Sequence, residues 1–224
     1  MLGHADAKSA ESKRAKVKPV VFIIDDDADV REGLRALLQS VSLDCEAFSS
    51  TSDFLQHKCP DTVSCLILDV RLPGLSGLDF QRELASTRVG IPVIFLTGHG
   101  DIPMSVRAIK AGAVEFLTKP VREQDLLDAV RTALENDRVR REEEERLQSI
   151  KTRFESLSDR ERKVMSFVTA GKLNKQIAGE MNLSEVTIKV HRHNLMRKLD
   201  VRTVPDLVRI AEIFGVGPGP KSLA

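Results

Sequence analysis

The stretch Val-Val-Phe-Ile-Ile-Asp-Asp-Asp at residues 20–27 runs five apolar residues directly into three aspartates. A continuous apolar run of this length is typical of a parallel strand that is covered on both faces. Similar runs follow at Leu43–Phe48, Ser64–Leu68, Ile91–Leu96 and Ala113–Leu117. Stretches with helical spacing alternate with them, at Val30–Ser40, Thr51–His57, Gly77–Ser86, Pro103–Ala111 and from Arg122 onwards. Five such units predict a doubly wound α/β domain with a five-stranded parallel sheet.

Acidic residues follow two of the predicted strands. The first strand runs into Asp25, Asp26 and Asp27, and the third runs into Asp69. Because the carboxyl ends of parallel strands meet at one edge of the sheet, we expect these carboxylates to lie close together. Their mutual repulsion is relieved by a hard divalent cation with oxygen ligands, and Mg²⁺ fits best.

The fourth and fifth strands add groups that suit a phosphate. Thr97 contributes a hydroxyl and Lys119 an ammonium group to the same edge. The combination indicates an aspartyl phosphate, in which the carboxylate of Asp69 attacks phosphorus and then carries the phosphoryl group. A different interpretation, a turn that caps a helix, would be preferred for Asp25 or Asp27 taken alone.

Four segments of the first 136 residues resemble the receiver domain of bacterial two-component response regulators. They are Ile-Ile-Asp-Asp-Asp at 23–27, Leu-Asp-Val-Arg-Leu-Pro-Gly-Leu-Ser-Gly at 68–77, Leu-Thr-Gly-His-Gly at 96–100 and Phe-Leu-Thr-Lys-Pro at 116–120. The resemblance covers residues 19–136 and implies a flavodoxin-like fold, Mg²⁺ as cofactor and a sensor histidine kinase as partner.

The same resemblance implies a role for each matching residue. Asp69 is the phosphoacceptor, and Asp25, Asp26, Asp69 and the backbone carbonyl of Arg71 bind the metal. Asp27 is a neighbour of that site and not a ligand. The switch and phosphate-contacting residues are Thr97, Phe116 as a rotating aromatic ring, and Lys119, which precedes a cis bond to Pro120.

A long helix is predicted to follow the receiver. No Gly or Pro occurs between Arg122 and Leu157, and residues 137–156 are expected to form a helical linker. Before this linker, the helix carries one apolar stripe, made by Leu126, Leu127, Val130, Ala133 and Leu134. A second stripe is formed by Leu147, Ile150, Phe154 and Leu157. This second stripe fits either a short coiled coil or a helix that packs on the next domain.

Residues 157–214 predict an all-α domain of four helices. Ser158 and Glu161 have the spacing of a capping box, so a first helix starts at Asp159, and Gly171 follows its end near Ala170. The others are Asn174–Met181, a helix capped by Ser184 that runs to Leu199, and Val204–Phe214. Two helices joined by a three-residue turn are typical of a helix-turn-helix.

The third of these helices is basic. Residues 172–202 hold 7 basic and 3 acidic residues, which suits insertion into the major groove of double-stranded DNA. We expect the inner face of these helices to be formed by apolar residues, namely Ile177, Ala178, Met181, Val186, Ile188, Leu195 and Leu199. An amphipathic helix that simply faces solvent would account for the charges if they stood alone.

Residues 157–211 resemble the LuxR-type DNA-binding domain of FixJ/NarL-like regulators. The matching segments are Leu-Ser-Asp-Arg-Glu at 157–161, Gly171, Asn-Lys-Gln-Ile-Ala at 174–178, Leu-Ser-Glu-Val-Thr-Ile-Lys-Val-His at 183–191 and Arg-Lys-Leu at 197–199. By position, the resemblance makes Lys189, Val190 and His193 the base-facing residues. It makes Asn174, Lys175, Thr187, Arg192 and Lys198 contacts to the DNA backbone.

Charge and composition agree with this division. Residues 19–136 carry 11 basic and 18 acidic residues, whereas residues 154–212 carry 11 and 8, so only the second half suits a polyanion. No apolar run reaches the roughly 18 residues of a membrane span, and residues 1–18 lack the apolar core of a secretory signal. We expect a cytoplasmic bacterial protein whose three cysteines are reduced, with flexible tails at residues 1–18 and 215–224.

These features predict a phosphorylation-dependent transcriptional regulator and not an enzyme, apart from its own Mg²⁺-dependent phosphorylation and slow dephosphorylation. Phosphorylation would favour a homodimer through a face that includes Met104, Val106 and Ile109. Two alternatives are a phosphohydrolase, for which Val70 and Arg71 supply no acid or base beside Asp69, and a phosphorelay protein whose second domain binds protein.

Overall fold

The computed structural model describes residues 18–74, 76–86, 90–98 and 102–217. Its contacts divide the chain into two compact units, residues 1–142 and 143–224. Most of both predicted tails, residues 1–17 and 218–224, lies outside the described residues. None of the helices in the described ranges combines the length and the apolar character that a membrane span requires.

The first unit alternates strands and helices. In chain order they are β1 (Val20–Ile24), α1 (Ala28–Ser40), β2 (Asp44–Phe48), α2 (Thr51–Gln56), β3 (Ser64–Asp69), α3 (Gly77–Ser86), β4 (Val93–Thr97), α4 (Ile102–Lys110), β5 (Glu115–Thr118) and α5 (Glu123–Glu155). All neighbouring strands are parallel, in the order β2-β1-β3-β4-β5. The predicted doubly wound, five-stranded, flavodoxin-like fold is therefore confirmed.

The central strands are apolar on both faces because each face supports its own core. Val21 and Ile23 of β1 pack in one cluster with α1 and α5, whereas Phe22 and Ile24 pack in the other with α2, α3 and α4. Every residue of β3 is buried. This double cover explains why β1 and β3 lack the polar alternation of a half-exposed strand.

Helix α1 begins at Ala28, two residues before its predicted start. The side chain of Asp27 accepts hydrogen bonds from the backbone N–H groups of Asp29 and Val30. Asp27 is thus the N-cap of α1, because its carboxylate satisfies amides that the first helical turn leaves without partners.

Helix α5 carries a fully buried carboxylate at Asp137, the first residue of the predicted linker. Asp137 Oδ2 accepts from the backbone N–H of Ser64, the first residue of β3, at 2.9 Å. Its Oδ1 accepts from Arg140 Nη2 at 2.6 Å and its Oδ2 from Arg141 Nε at 2.7 Å, while Arg141 also binds Asp61. The helix therefore remains anchored to the first unit up to residue 141.

The second unit contains the end of α5 and four further helices. They are α6 (Asp159–Thr169), α7 (Asn174–Met181), α8 (Glu185–Leu199) and α9 (Val204–Ile213). The predicted capping box of Ser158 and Glu161 is present, and Gly171 after α6 has a left-handed φ of 79°. Ser184 caps α8 through the N–H of Thr187. The predicted four-helix domain with a helix-turn-helix is confirmed.

The core of the second unit distinguishes between the two interpretations of the second apolar stripe, and it contradicts the predicted burial of Val186. Ile150, Phe154 and Leu157 of the second stripe pack in this core, which favours a packed helix over a coiled coil, whereas Leu147 is exposed. Val186 was predicted to face inward, but 69% of it is exposed. The prediction is wrong because Val186 lies two residues before the buried Ile188, on the other side of α8.

Candidate functional site: an acidic strand edge and a basic helix

The predicted acidic residues and Lys119 meet at the carboxyl edge of the sheet. Lys119 Nζ lies 2.6 Å from Asp25 Oδ2 and 2.6 Å from Asp69 Oδ2. β1 and β3 are direct neighbours, so their ends deliver Asp25 and Asp69 side by side. Lys119 follows β5, and its backbone N–H donates to the carbonyl of Thr97 at 2.7 Å.

Asp26 completes a group of three carboxylates. One oxygen each of Asp25, Asp26 and Asp69 lies within 4.8 Å of the others. Asp25 and Asp69 are buried and Asp26 is exposed, so the group opens to solvent on one side. The three carboxylates face the ammonium group of Lys119, and the guanidinium of Arg31 reaches the backbone carbonyl of Asp25 at 2.7 Å, so carboxylates outnumber cations at this edge among the described residues. An excess of negative charge suits a divalent cation held by oxygen ligands.

Burial and the neighbouring charges have opposite effects on the pKa values of Asp25 and Lys119. Removal from water raises the pKa of Asp25 above its ordinary value, although the hydrogen bonds from Lys119 and from the Asp27 N–H act against that rise. For Lys119, burial alone would lower the pKa, but the hydrogen bonds to Asp25 and Asp69 outweigh it and raise the pKa. Lys119 therefore stays a cation between the two carboxylates.

The remaining predicted residues surround this group. The N–H of Arg71, in the loop after β3, donates to Asp69 Oδ1 at 2.9 Å and so holds the carboxylate at the end of the strand. Thr97 at the end of β4 is fully buried. Phe116 is half-buried with its ring centroid 6.3 Å from that of Phe95, and the Lys119–Pro120 bond is cis, as predicted.

The predicted DNA-facing residues fall into two groups on α7 and α8. Lys189, Val190 and His193 are exposed together on α8, and Lys175 is exposed on α7. Others are engaged within the domain, since Arg192 Nη1 donates to Asn174 Oδ1 at 2.8 Å and the hydroxyl groups of Thr187 and Ser184 lie 2.8 Å apart.

Lys198 is also engaged within the domain. Its Nζ lies 2.7 Å from Glu161 Oε2 and 3.1 Å from the carbonyl of Ser156. Burial would raise the pKa of Glu161, but the hydrogen bonds from Lys198 and Ser158 outweigh it and lower that pKa. Lys198, one of the residues predicted to contact the DNA backbone, is thus paired with the buried carboxylate of Glu161 in its own domain.

Comparison with known proteins assigns the family. The family described as response regulator receiver domain matches residues 21–131, and the family described as bacterial regulatory proteins, luxR family, matches residues 155–211. Nodulation protein W of Bradyrhizobium diazoefficiens is 52% identical over 202 residues, which cover 90% of this chain and 89% of that protein. The chain belongs to the response regulators.

Two further comparisons support the whole two-domain organisation of this response regulator. The transcriptional regulatory protein FixJ of Azorhizobium caulinodans is 39% identical over 198 residues, 88% of this chain and 94% of that protein. The structure of response regulator StyR has a TM-score of 0.80 at 50% identity and covers 88% of this chain and 99% of its own. The response regulator is a two-component transcriptional regulator with a receiver domain and a LuxR-type DNA-binding domain.

The sequence predicted an exposed apolar face on α4 with Met104, Val106 and Ile109, but it missed Ile102 on that face and the exposure of Val186 on α8. On α4, Met104 is half-buried against the core, while Ile102, Val106 and Ile109 are exposed. On α8, Val186 joins the exposed side of the helix. Ile102 and Val186 have helical spacing to the other exposed residues of their helices, but spacing alone does not reveal which side of a helix the core covers.

Proposed function

We propose that Asp69 accepts a phosphoryl group from a sensor histidine kinase. The contact of Asp69 Oδ2 with Lys119 Nζ at 2.6 Å, beside Asp25 and Asp26, carries this proposal. An oxygen of Asp69 would attack phosphorus, the P–N bond of the kinase phosphohistidine would break, and its electron pair would stay on the imidazole nitrogen. A carboxylate needs no general base for this attack, because it has no proton to lose.

The group of three carboxylates suits Mg²⁺ as a cofactor. Asp25, Asp26 and Asp69, with the backbone carbonyl of Arg71, would hold the ion, which would supply positive charge against the phosphoryl oxygens. Lys119 would supply a second positive charge from the side of β5. The excess of negative charge at this edge supports the assignment.

Phosphorylation would act as a switch through residues beside Lys119. The new group replaces one carboxylate charge by a larger anion with three oxygens, and Lys119, Thr97 and Phe116 would rearrange around it. Thr97 is fully buried and Phe116 is half-buried, so movement of one requires repacking near β4 and β5. This repacking would reach α4, which lies between these strands in the chain.

The exposed stripe Ile102, Val106 and Ile109 on α4 would pair two phosphorylated receivers. These residues recur at spacings of four and three, and 80% of Ile102 is exposed. Burying such a stripe against a second copy removes apolar surface from water. A homodimer would then place two α8 helices in successive major grooves, so DNA binding would depend on phosphorylation by mass action.

The central test compares wild type with Asp69→Asn, each with and without an acyl phosphate and Mg²⁺. Sedimentation and DNA binding are measured for both proteins, with Asp44→Asn, an exposed carboxylate on β2, as the matched control. We expect wild type and the control to dimerise and to bind DNA more tightly after treatment, while Asp69→Asn does neither. Equal binding by all three proteins without any response would refute the switch.

The dimer face is tested separately with Val106→Glu. A buried charge in the interface should keep the treated protein monomeric while Asp69 is still phosphorylated. Leu55→Glu on α2 is the control, because Leu55 is an apolar residue exposed to a similar degree. Dimerisation of Val106→Glu at the wild-type concentration would show that α4 is not the interface.

A further inference from the structure

Helix α8 presents one continuous exposed stripe. Val186, Lys189, Val190, His193 and Arg197 are exposed, whereas the residues between them are half-buried or buried. The first four are related by i, i+3, i+4 and i+7, the spacing that places side chains on one helix face. Val186 therefore shares its face with the three residues that the family resemblance makes base-facing.

Two members of this stripe are valines, which gain nothing from exposure to water. Val186 is 69% exposed and Val190 is 53% exposed, one turn apart on the N-terminal half of α8. Ile188, Leu195 and Leu199 already supply the buried side of the helix, so packing within the domain does not require either valine. The pair forms a small apolar patch beside the cationic Lys189.

The surroundings of this patch favour DNA as its occupant. Residues 172–202 carry 7 basic and 3 acidic residues, which suits a polyanion better than an apolar protein surface. In the major groove most base-edge groups are hydrogen-bond donors or acceptors, and the C5-methyl group of thymine is the apolar one. A side chain with two methyl groups and no polar atom matches that group.

We propose that Val186 determines DNA-sequence specificity by contacting a thymine C5-methyl group, next to the position read by Val190. This inference rests on the proposed insertion of α8 into the major groove. Val186 would add a further reading position at the N-terminal end of the helix, where side chains approach base edges most closely.

The test removes the proposed contact from either partner: deoxyuridine lacks the C5-methyl group of thymine, and Val186→Ala lacks the two methyl groups of valine. Duplexes that bind the acyl-phosphate-treated full-length protein are selected from a random library, and each thymine of the selected site is then replaced by deoxyuridine. At one thymine we expect about a fourfold loss of affinity for wild type, the effect of one buried carbon group. The Val186→Ala protein should bind the thymine and deoxyuridine duplexes equally. Val139→Ala, which changes an exposed valine on α5, should behave as wild type.

The outcomes separate this inference from the function on which it rests. If wild type binds selected DNA but tolerates deoxyuridine at every position, Val186 does not read a methyl group although α8 still binds DNA. The same conclusion follows if Val186→Ala keeps the full deoxyuridine effect. If wild type selects no DNA at low salt, DNA binding itself fails and the role of Val186 fails with it.

Discussion

The two ends of β3 place buried carboxylates in opposite electrostatic settings. At the amino end, the buried Asp137 and the exposed Asp61 face Arg140 and Arg141, and a backbone N–H also donates to Asp137. At the carboxyl end, three carboxylates face the ammonium group of Lys119, and Arg31 reaches the backbone carbonyl of Asp25. The first cluster is balanced and needs no ligand, whereas the second carries a surplus of negative charge. Charge balance, more than burial, thus distinguishes the structural site from the site that we propose to bind a cation and a phosphoryl group.

Removal of Asp137 should give the largest loss of stability. Asp137→Ala leaves the Ser64 amide and two arginines without their buried partner, and the expected cost is about 3–5 kcal/mol. Urea unfolding of the full-length chain measures it, with the transition of the second domain as an internal reference. Glu135→Ala, which removes an exposed partner of Arg138, should change stability little. An equally small effect of Asp137→Ala would show that the buried Asp137 cluster does not stabilise the receiver.

Mg²⁺ should stabilise only the cluster with surplus charge. At 100 times its dissociation constant, a ligand specific to the folded state adds about 2.7 kcal/mol, which raises the unfolding midpoint of the receiver. Asp25→Asn and Asp26→Asn should lose this response, because each removes one of the three carboxylates. Asp44→Asn should keep it. An undiminished Mg²⁺ response in Asp25→Asn would place the ion elsewhere.

The pair of Glu161 and Lys198 is a second balanced site and gives a pH test. The pKa of Glu161 is lowered in the folded state, so its ionised form adds stability that is fully present above the ordinary value of 4.5. This contribution is lost as the pH falls from 4.5 through the folded pKa. The stability difference between wild type and Glu161→Gln should therefore shrink over that interval. A difference that grows on acidification would reverse the sign of the pKa shift.

The smallest expected effect separates two lysines of the DNA-binding domain. Lys175 is exposed, and Lys175→Gln should reduce the slope of log affinity against log salt by about one for each subunit. Lys198 is held by Glu161, so Lys198→Gln should reduce that slope by less. The slope is read from DNA binding at several salt concentrations. Equal reductions would mean that Lys198 leaves Glu161 for a phosphate.

Much of this architecture could be predicted from short-range patterns. The apolar runs predicted all five strands, and the polar groups that follow them predicted the acidic edge, since parallel strands must end together. The caps at Ser158 and Ser184 were predictable because capping depends on residues only three positions apart.

Long-range packing could not be predicted in this way. Asp137 lies in a highly charged stretch that looks solvent-exposed, and its partner Ser64 is 73 residues away. Val186 was assigned to the core on its apolar character alone, although the opposite side of α8 supplies the buried residues. Both cases concern which side of a helix is covered, a property that is set by distant segments of the chain.

Helix α5 contains two turns, residues 142–149, in which every residue is exposed. Isolated helical segments of this length are marginal in water, so these turns depend on the packed turns that precede and follow them. Their amide hydrogens should exchange with solvent much faster than those of Leu126 to Ala133, which are packed in the receiver core. Among the lysines and arginines of α5, limited trypsin digestion should accordingly cut first at Arg146, in the part of the helix that opens at the lowest free energy.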